Sequence, residues 1–311
     1  MALEAPETMR AVRVHAPGGA GSLVVEEVAT PQPAPGEALV RVHAAAITRD
    51  ELEWPEDRLP AIPSYELSGV VAVASEVDEV TVGQRVYALT AFDRDGVAAE
   101  YAAVPSRFLA SKPHALDHVE CAAIPLAALS AWQGLFEHGA LESGQRVLIH
   151  GAAGGVGHFA VQLARHRGAH VIGTTSTATV EAVRGLGAEQ VIDHTATRFE
   201  DWVEPVDLVF DTTGGERLER SPAVVKPGGR LVSVASEPQV EEAVSAYGIK
   251  AVYFVVEPSR EQLAAIAGLA DAGDLRPTID RIFPLAEARA AFERSLSIHG
   301  AGKIVLRVSE E

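Results

Sequence analysis

The chain has 311 residues, 47% hydrophobic and 22% charged, with a formal net charge of −17. Such a chain is globular and long enough for two domains with sizeable cores, which excludes a disordered or fibrous protein. The acidic balance speaks against nucleic acid and anionic membranes as partners, and the single cysteine, Cys121, excludes an intrachain disulfide or a site of several thiolates. No apolar run reaches the ~18 residues of a membrane helix. The opening MALEAPETMR carries acids and lacks the apolar core of a signal peptide, so the expectation is a cytoplasmic protein.

From Arg10 to about Lys112 short Val- and Ala-rich runs, such as ALVRVHAAAI (38–47) and LSGVVAVAS (67–75), alternate with Pro and Gly. They read as the strands of a barrel-like domain, and TPQPAPGE (30–37) reads as a loop that no central strand could contain. From about Cys121 the rhythm changes. QRVLIH (145–150), HVIGTT (170–175), EQVID (189–193), VDLVFD (206–211) and RLVSVA (230–235) are apolar runs separated by helix-like segments, and AVYFVV (251–256) is a candidate sixth strand. Strands alternating with helices predict βαβ units and a parallel sheet. REQLAAIAGLADAG (260–273) then reads as a helix, and the tail from PTIDRIF to KIVLRV as strand, helix, strand.

The chemistry-bearing motif is GAAGGVG, Gly151 to Gly157, between an apolar strand and the helical GVGHFAVQLARHRG. Its glycines are spaced G-x-x-G-x-x-G. Such a loop turns tightly, brings backbone close to a pyrophosphate and starts a helix whose N–H groups face the anion. Gly154, Gly155 and Val156 are candidates for the close approach and Gly157 for packing the helix on its strand. A glycine motif alone is weak; the strand, the helix and the βα units that follow supply the context it needs. An NAD site commonly has Asp or Glu at the end of the second strand. Here Gly173, Thr174, Thr175, Ser176 and Thr177 stand there, hydroxyls that can meet a 2′-phosphate, which favours NADPH with NADH as an alternative.

GAAGGVGHFAVQLAR, with AALSAWQGLFEHGALESGQRVLIH before it and DTTGG after it, resembles the zinc-independent quinone oxidoreductase branch of the medium-chain dehydrogenase/reductase superfamily. RAVRVHAPGG, VHAAAITRDELEW, PSYELSGVVA and HGAGKIVLRV extend the resemblance across nearly the whole chain from Arg10. It implies an α/β architecture: a GroES-like, β-rich catalytic domain over 1–120, a Rossmann domain over 121–275, and a C-terminal return to the catalytic domain over 276–311. It also implies a homodimer, with the 251–256 edge strands paired across a twofold axis, as an uncovered apolar edge invites.

Zinc-dependent relatives have a cysteine in the segment matching AAAITRDE and a histidine where PSYE stands. This chain has Thr48 and Glu51 in the first and Tyr65 before Glu66 in the second, and no structural zinc lobe. Catalytic zinc needs three protein ligands and an open position, and the eleven histidines show no ligand spacing, so no metal is expected. Without one, Thr48 and Tyr65 are the candidates to hydrogen-bond the oxygen that gains charge when a quinone or α,β-unsaturated carbonyl accepts hydride. The plainer alternatives are a strand-end residue for Thr48 and a packing aromatic for Tyr65. Glu51 and Glu66 are expected to hold loops or orient neighbours rather than act as acid–base catalysts, and Trp54 to wall the cleft or to serve in the core or an interface.

The resemblance carries further coenzyme contacts: Ser130 near the nicotinamide, Thr212 and Val234, Ala235 and Ser236 beside the ribose, Phe254 and Val255 near the carboxamide, and Lys303 near the cofactor. His194 stands where NADP-using relatives have a tyrosine against the 2′-phosphate, and Thr177 where they have lysine. The reading is thus an NADPH-dependent quinone or enone oxidoreductase, with an enoyl-thioester reductase or a nucleotide-binding structural or regulatory protein as alternatives.

Overall fold

Val, Ile and Ala in short runs bounded by Pro and Gly favour strands, and strands are what the computed structural model contains in the first hundred residues. It describes residues 5–54, 57–74, 80–238, 241–297 and 300–309. The chain divides into two compact units, residues 1–126 with 258–273 and 277–311, and residues 127–257 with 274–276.

In the first unit β1 (Thr8–Val14) and β2 (Leu23–Ala29) form an antiparallel ribbon. β3 (Glu37–Ile47), β4 (Glu66–Val73), β5 (Arg85–Leu89), β6 (Tyr101–Pro105) and β7 (Ala110–Ser111) follow, largely antiparallel around β3 and β4. β3 is the pivot. Its Ala44 and Ala46 have no bulk beyond Cβ, so Val119, Ala122 and Ala123 pack directly on the strand.

The second unit holds β8 (Arg146–His150), β9 (His170–Thr175), β10 (Gln190–Asp193), β11 (Val206–Asp211), β12 (Val225–Ser233) and β13 (Lys250–Tyr253) in one parallel sheet. The order is β10-β9-β8-β11-β12-β13. This is the doubly wound 3-2-1-4-5-6 order, whose ligand crevice lies at the carboxyl ends of the strands where the winding reverses, between β8 and β11. Apolar residues on successive strands, among them Leu148, Ile172, Val209 and Leu231, make its core. The edge strand β13 stops at Tyr253, so Phe254 and Val255 lie just beyond it rather than within the expected 251–256 run.

The C-terminal strands β14 (Ile279–Pro284) and β15 (Lys303–Arg307) are parallel to each other, joined through the helix Ala288–Ser297, and β15 pairs antiparallel with β3. The return to the first unit begins earlier than residue 276. The helix Arg260–Ala272 belongs to that unit because Tyr87 donates its hydroxyl to the Leu263 carbonyl at 2.5 Å and Asp271 accepts from the Ala115 amide at 2.8 Å.

Candidate active site

Strand β15 brings Lys303 to the end of β3. Lys303 is 5% exposed and its ammonium pairs with the buried Glu66 carboxylate; it also donates to Thr48 Oγ1 at 3.4 Å. The other Glu66 oxygen accepts from the Leu126 amide at 2.9 Å, so Glu66 does hold a loop, as expected. Glu51 is fully buried on a short 3₁₀ turn; neither carboxyl oxygen makes a close hydrogen bond among the described residues, and the Thr48 backbone is the polar group that faces it. Burial holds its pKa well above the ordinary carboxylate value, against the pull of Lys303.

Tyr65 is also fully buried; its hydroxyl makes no close hydrogen bond among the described residues, and the Arg58 side chain is the cation that faces it. Burial, with Glu51 adding to it, raises its pKa to about 12, so the phenol keeps its proton and remains a donor. Its ring lies 5.5 Å from Trp54 and 5.2 Å from Phe92, and those two meet edge to face at 5.1 Å. Trp54 and Tyr65 therefore pack, as the plainer reading had it, yet packing leaves the Tyr65 hydroxyl unspent. The backbone before Tyr65 is set by Ser64, a non-glycine residue at φ 67° whose hydroxyl donates to the Ala46 carbonyl at 2.6 Å. A Cβ on Gly96 would fall 2.0 Å from the Ser64 carbonyl oxygen. Neither Ser64 nor Gly96 stood out in the sequence; the glycine in RDGVAA was the only trace of that close approach.

In the second unit the glycine loop sits at the carboxyl end of β8. A Cβ on Gly157 would lie 2.1 Å from the Gly151 carbonyl oxygen, so only glycine lets the helix Gly157–His166 start this close to its strand. Gly154, Gly155 and Val156 are partly exposed at the loop's rim. Thr212 donates to the His150 carbonyl at 2.8 Å, fastening the ends of β8 and β11. The unforeseen organiser is Asp211. Its buried carboxylate accepts from Thr213, from the Gly214 amide at 2.9 Å and from Ser233 Oγ at 3.0 Å, while the Ala235 and Ser236 amides bond to Ser233 Oγ. Val234, Ala235 and Ser236 thus form a turn at the end of β12. Ser130 is buried on the helix Pro125–Trp132, and Phe254 lies against His138 at 4.3 Å, with Val255 exposed. This loop, free of bulk where a pyrophosphate approaches and opening a helix, fits a dinucleotide.

The hydroxyl run corrects the sequence reading. Thr174 is fully buried and bonds His150 Nδ1 at 3.0 Å, so it cannot meet a 2′-phosphate. Thr175 shares a hydrogen bond with Thr179 at 2.5 Å, and Ser176 approaches the same hydroxyl at 3.3 Å. Thr177 donates to Asp193 Oδ2 at 2.5 Å. Asp193 ends β10 beside Thr175, and the hydroxyls of Thr177 and Thr195 hold its pKa down to about 2. A carboxylate therefore does stand next to the end of the second strand, supplied by the third. His194 follows it, its amide donating to the Thr175 carbonyl at 3.0 Å.

A GroES-like β-rich unit with a doubly wound nucleotide unit defines a dehydrogenase-type oxidoreductase. Residues 34–114 match the alcohol dehydrogenase GroES-like domain and residues 186–306 the zinc-binding dehydrogenase domain. The chain is 31% identical to the NADPH-dependent alkenal/one oxidoreductase of Arabidopsis thaliana and 32% identical to the 2-methylene-furan-3-one reductase of Solanum lycopersicum, covering 97% of itself in each case and 80% and 79% of those proteins. The quinone oxidoreductase structure from Coxiella burnetii superposes with a TM-score of 0.91 at 31% identity, over 97% of this chain and 100% of that one. The chain belongs to the medium-chain dehydrogenase/reductase superfamily and is an oxidoreductase. Its residues do not fit the zinc implied by the second domain's description. Ala46, Thr48 and Tyr65 offer no thiolate or imidazole, and the nearest charged carboxylate, Glu66, already has the Lys303 cation.

Proposed function

We propose that the chain reduces quinones or α,β-unsaturated carbonyls with NADPH, accepts NADH less well, and uses no metal. The reading rests on one observation: a buried Tyr65 hydroxyl that makes no close hydrogen bond, with the Arg58 side chain facing it, in the unit that also holds Thr48 and Lys303. When bound, NADPH supplies the hydride. The chain's own part is to hold the coenzyme on the glycine loop, with Gly154, Gly155, Val156 and Gly157, and along Thr212, Val234, Ala235, Ser236, Phe254 and Val255. Ser130, Ser176, His194 and Lys303 are assigned to the same task. Thr48 and Tyr65 donate hydrogen bonds to the acceptor oxygen as it becomes negative, which stabilises that charge without a Lewis acid. The relative named NADPH-dependent favours that coenzyme, while Asp193 keeps the preference small.

The same reading has the chain acting in the cytoplasm as a homodimer joined through the exposed β13 edge, where Tyr253 is 43% exposed. No helix among the described residues is long and apolar enough to cross a membrane. The test is oxidation of NADPH by a panel of quinones, enones and enoyl thioesters in the presence of a strong chelator, with light scattering for the assembly. Turnover of quinones or enones that survives the chelator supports the proposal. Inactivity toward both classes, or loss of activity with a stoichiometric zinc, would sink it.

A further inference from the structure

The hydroxyl run that ends β9, from Thr174 to Thr177, includes no cation, and the charge beside it is the Asp193 carboxylate. A cation reaches that end of the sheet from another element. After β11 the chain turns at Gly214 into the helix Gly215–Arg220, so the first turn of that helix stands at the carboxyl ends of the strands. Its two arginines are three residues apart and share one side. Arg220, the further from the strand ends, pairs with Glu200 at 2.9 Å and lies over the Phe199 ring at 5.4 Å. Both partners belong to the segment that follows β10, so this side of the helix faces that segment. Arg217 faces it one turn nearer the strand ends, where β10 ends in Asp193 and passes to His194. Burial lowers the pKa of the His150 imidazole, at the end of β8, to about 4 against the pull of Asp211. Arg217 and His194 are the basic groups that side with burial, so both stand around that same end.

The two arginines are occupied differently. Arg220 is matched by Glu200 and Glu216, and Arg198 by Glu200 as well. Arg217 has no carboxylate at ion-pair distance among the described residues. Its Nε makes one long hydrogen bond, to Thr213 Oγ1 at 3.4 Å, and its terminal nitrogens make none there. The residue is only partly buried, so a ligand can reach it. In a chain of net charge −17, an unmatched guanidinium at the strand ends is a place held for an anion. We propose that Arg217 binds the 2′-phosphate of NADPH. This deepens the coenzyme reading and rests on it. The pyrophosphate is met by the glycine loop and the start of the helix Gly157–His166. The 2′-phosphate is the coenzyme's other anion, and its place is the end of the second strand, β9. The resemblance assigned that task to Thr177 and His194; Thr177 is spent on Asp193, and the charge comes instead from the helix after β11. Arg217 attracts the phosphate and Asp193 repels it, so the preference for NADPH is the small difference between the two.

Arg217→Gln removes the charge and keeps a polar side chain. The probes are NADPH and NADH, titrated by fluorescence, and 2′-phospho-ADP-ribose and ADP-ribose, titrated by calorimetry. The last two lack the nicotinamide and isolate the adenosine half. The NADPH Kd should rise about tenfold, the loss of a charge-assisted contact screened by water and salt, while the NADH Kd moves less than about twofold. The two ADP-ribose probes should divide in the same way. NADH binding at wild-type strength also shows that the variant keeps its cradle folded. Arg217→Lys, a point charge without the fork, should recover part of the NADPH affinity. The proposal is overturned by an unchanged NADPH Kd. It is overturned equally by parallel losses on both coenzymes, which would assign the cation to the pyrophosphate or to the fold. A wild type that binds neither coenzyme fails the coenzyme reading itself, and this proposal with it.

Discussion

The two units prepare for chemistry in opposite ways. At the strand ends of the second, acidic and hydroxyl groups are spent on the protein: Asp211 is bonded by Thr213, Gly214 and Ser233, Thr174 by His150, and Asp193 by Thr177 and Thr195. At the strand ends of the first, Glu51 and Tyr65 are buried with their polar atoms unspent. A coenzyme cradle must be rigid and present backbone, so its side chains serve to fix turns. A site that meets developing charge must hold donors in reserve, at a cost to the resting fold. If this contrast is right, substitutions in the second unit should damage stability and binding together, and those at the unspent groups of the first should damage rate alone.

The Lys303–Glu66 pair is the part of the first unit that should behave like the second. Lys303→Met leaves Glu66 buried without its cation, and breaking a buried pair from one side costs about 3–5 kcal/mol. The variant should show a large fall in urea midpoint, and Lys303→Met with Glu66→Gln should recover part of it. A single variant as stable as wild type would mean that the pair is not formed.

Gly157→Ala comes next. The new Cβ meets backbone, the Gly151 carbonyl at 2.1 Å and Ala152 Cα at 2.9 Å, so no side chain can step aside. Overpacking of this kind costs about 1–3 kcal/mol, and the displaced loop should bind NADPH more weakly. Fluorescence titration and thermal melting read both. Unchanged coenzyme affinity would detach the loop from the binding role.

Tyr65→Phe should do the reverse. Turnover should fall about tenfold, less than the 10²–10³ typical of an oxyanion donor, because Thr48 remains. Stability should hold or rise, since an unbonded buried hydroxyl costs about 1–3 kcal/mol. A variant that melts earlier with full turnover makes Tyr65 a packing residue only.

The same contrast explains what the sequence made legible. The second unit is written locally: each strand is a short apolar run, and the loop is seven consecutive residues, so the parallel βαβ sheet and the close packing of Gly157 could be read from spacing. The first unit's site is assembled from residues 48–51, 65–66 and 303, which come together only when β15 pairs with β3. The family resemblance located Thr48, Tyr65 and Lys303, but no spacing rule announces that neither Glu51 oxygen makes a close hydrogen bond. The hydroxyl run failed for a related reason. A row of Thr residues at a strand end looks available in one dimension, and parallel pairing of β9 with β10 and β8 decides which of them are consumed.

Asp193 gives the smallest expected effect and the sharpest reading of the coenzyme. Its carboxylate ends β10, one strand from the end of β9, with Oδ2 bonded by Thr177 and Oδ1 by the amide and hydroxyl of Thr195. Those hydrogen bonds lower its pKa from 3.8 to about 2. The sign follows: the group is ionised at every pH above about 4, and whatever it adds to folding is lost only as pH falls through about 2. Between pH 5 and 8 its charge is therefore constant, and it opposes a 2′-phosphate throughout while leaving a ribose hydroxyl unopposed. Asp193→Asn keeps an acceptor for Thr195 and removes the charge. For an exposed group screened by water and salt, the ratio of NADPH to NADH affinity should rise only about two- to fivefold. The rise should shrink as salt is added, because the repulsion removed is electrostatic. Titration of both coenzymes into wild type and variant at low and high ionic strength measures it. A ratio that stays put, or falls, would mean that the 2′-phosphate lies beyond the reach of Asp193 and that preference is set elsewhere, with His194 the next residue to change.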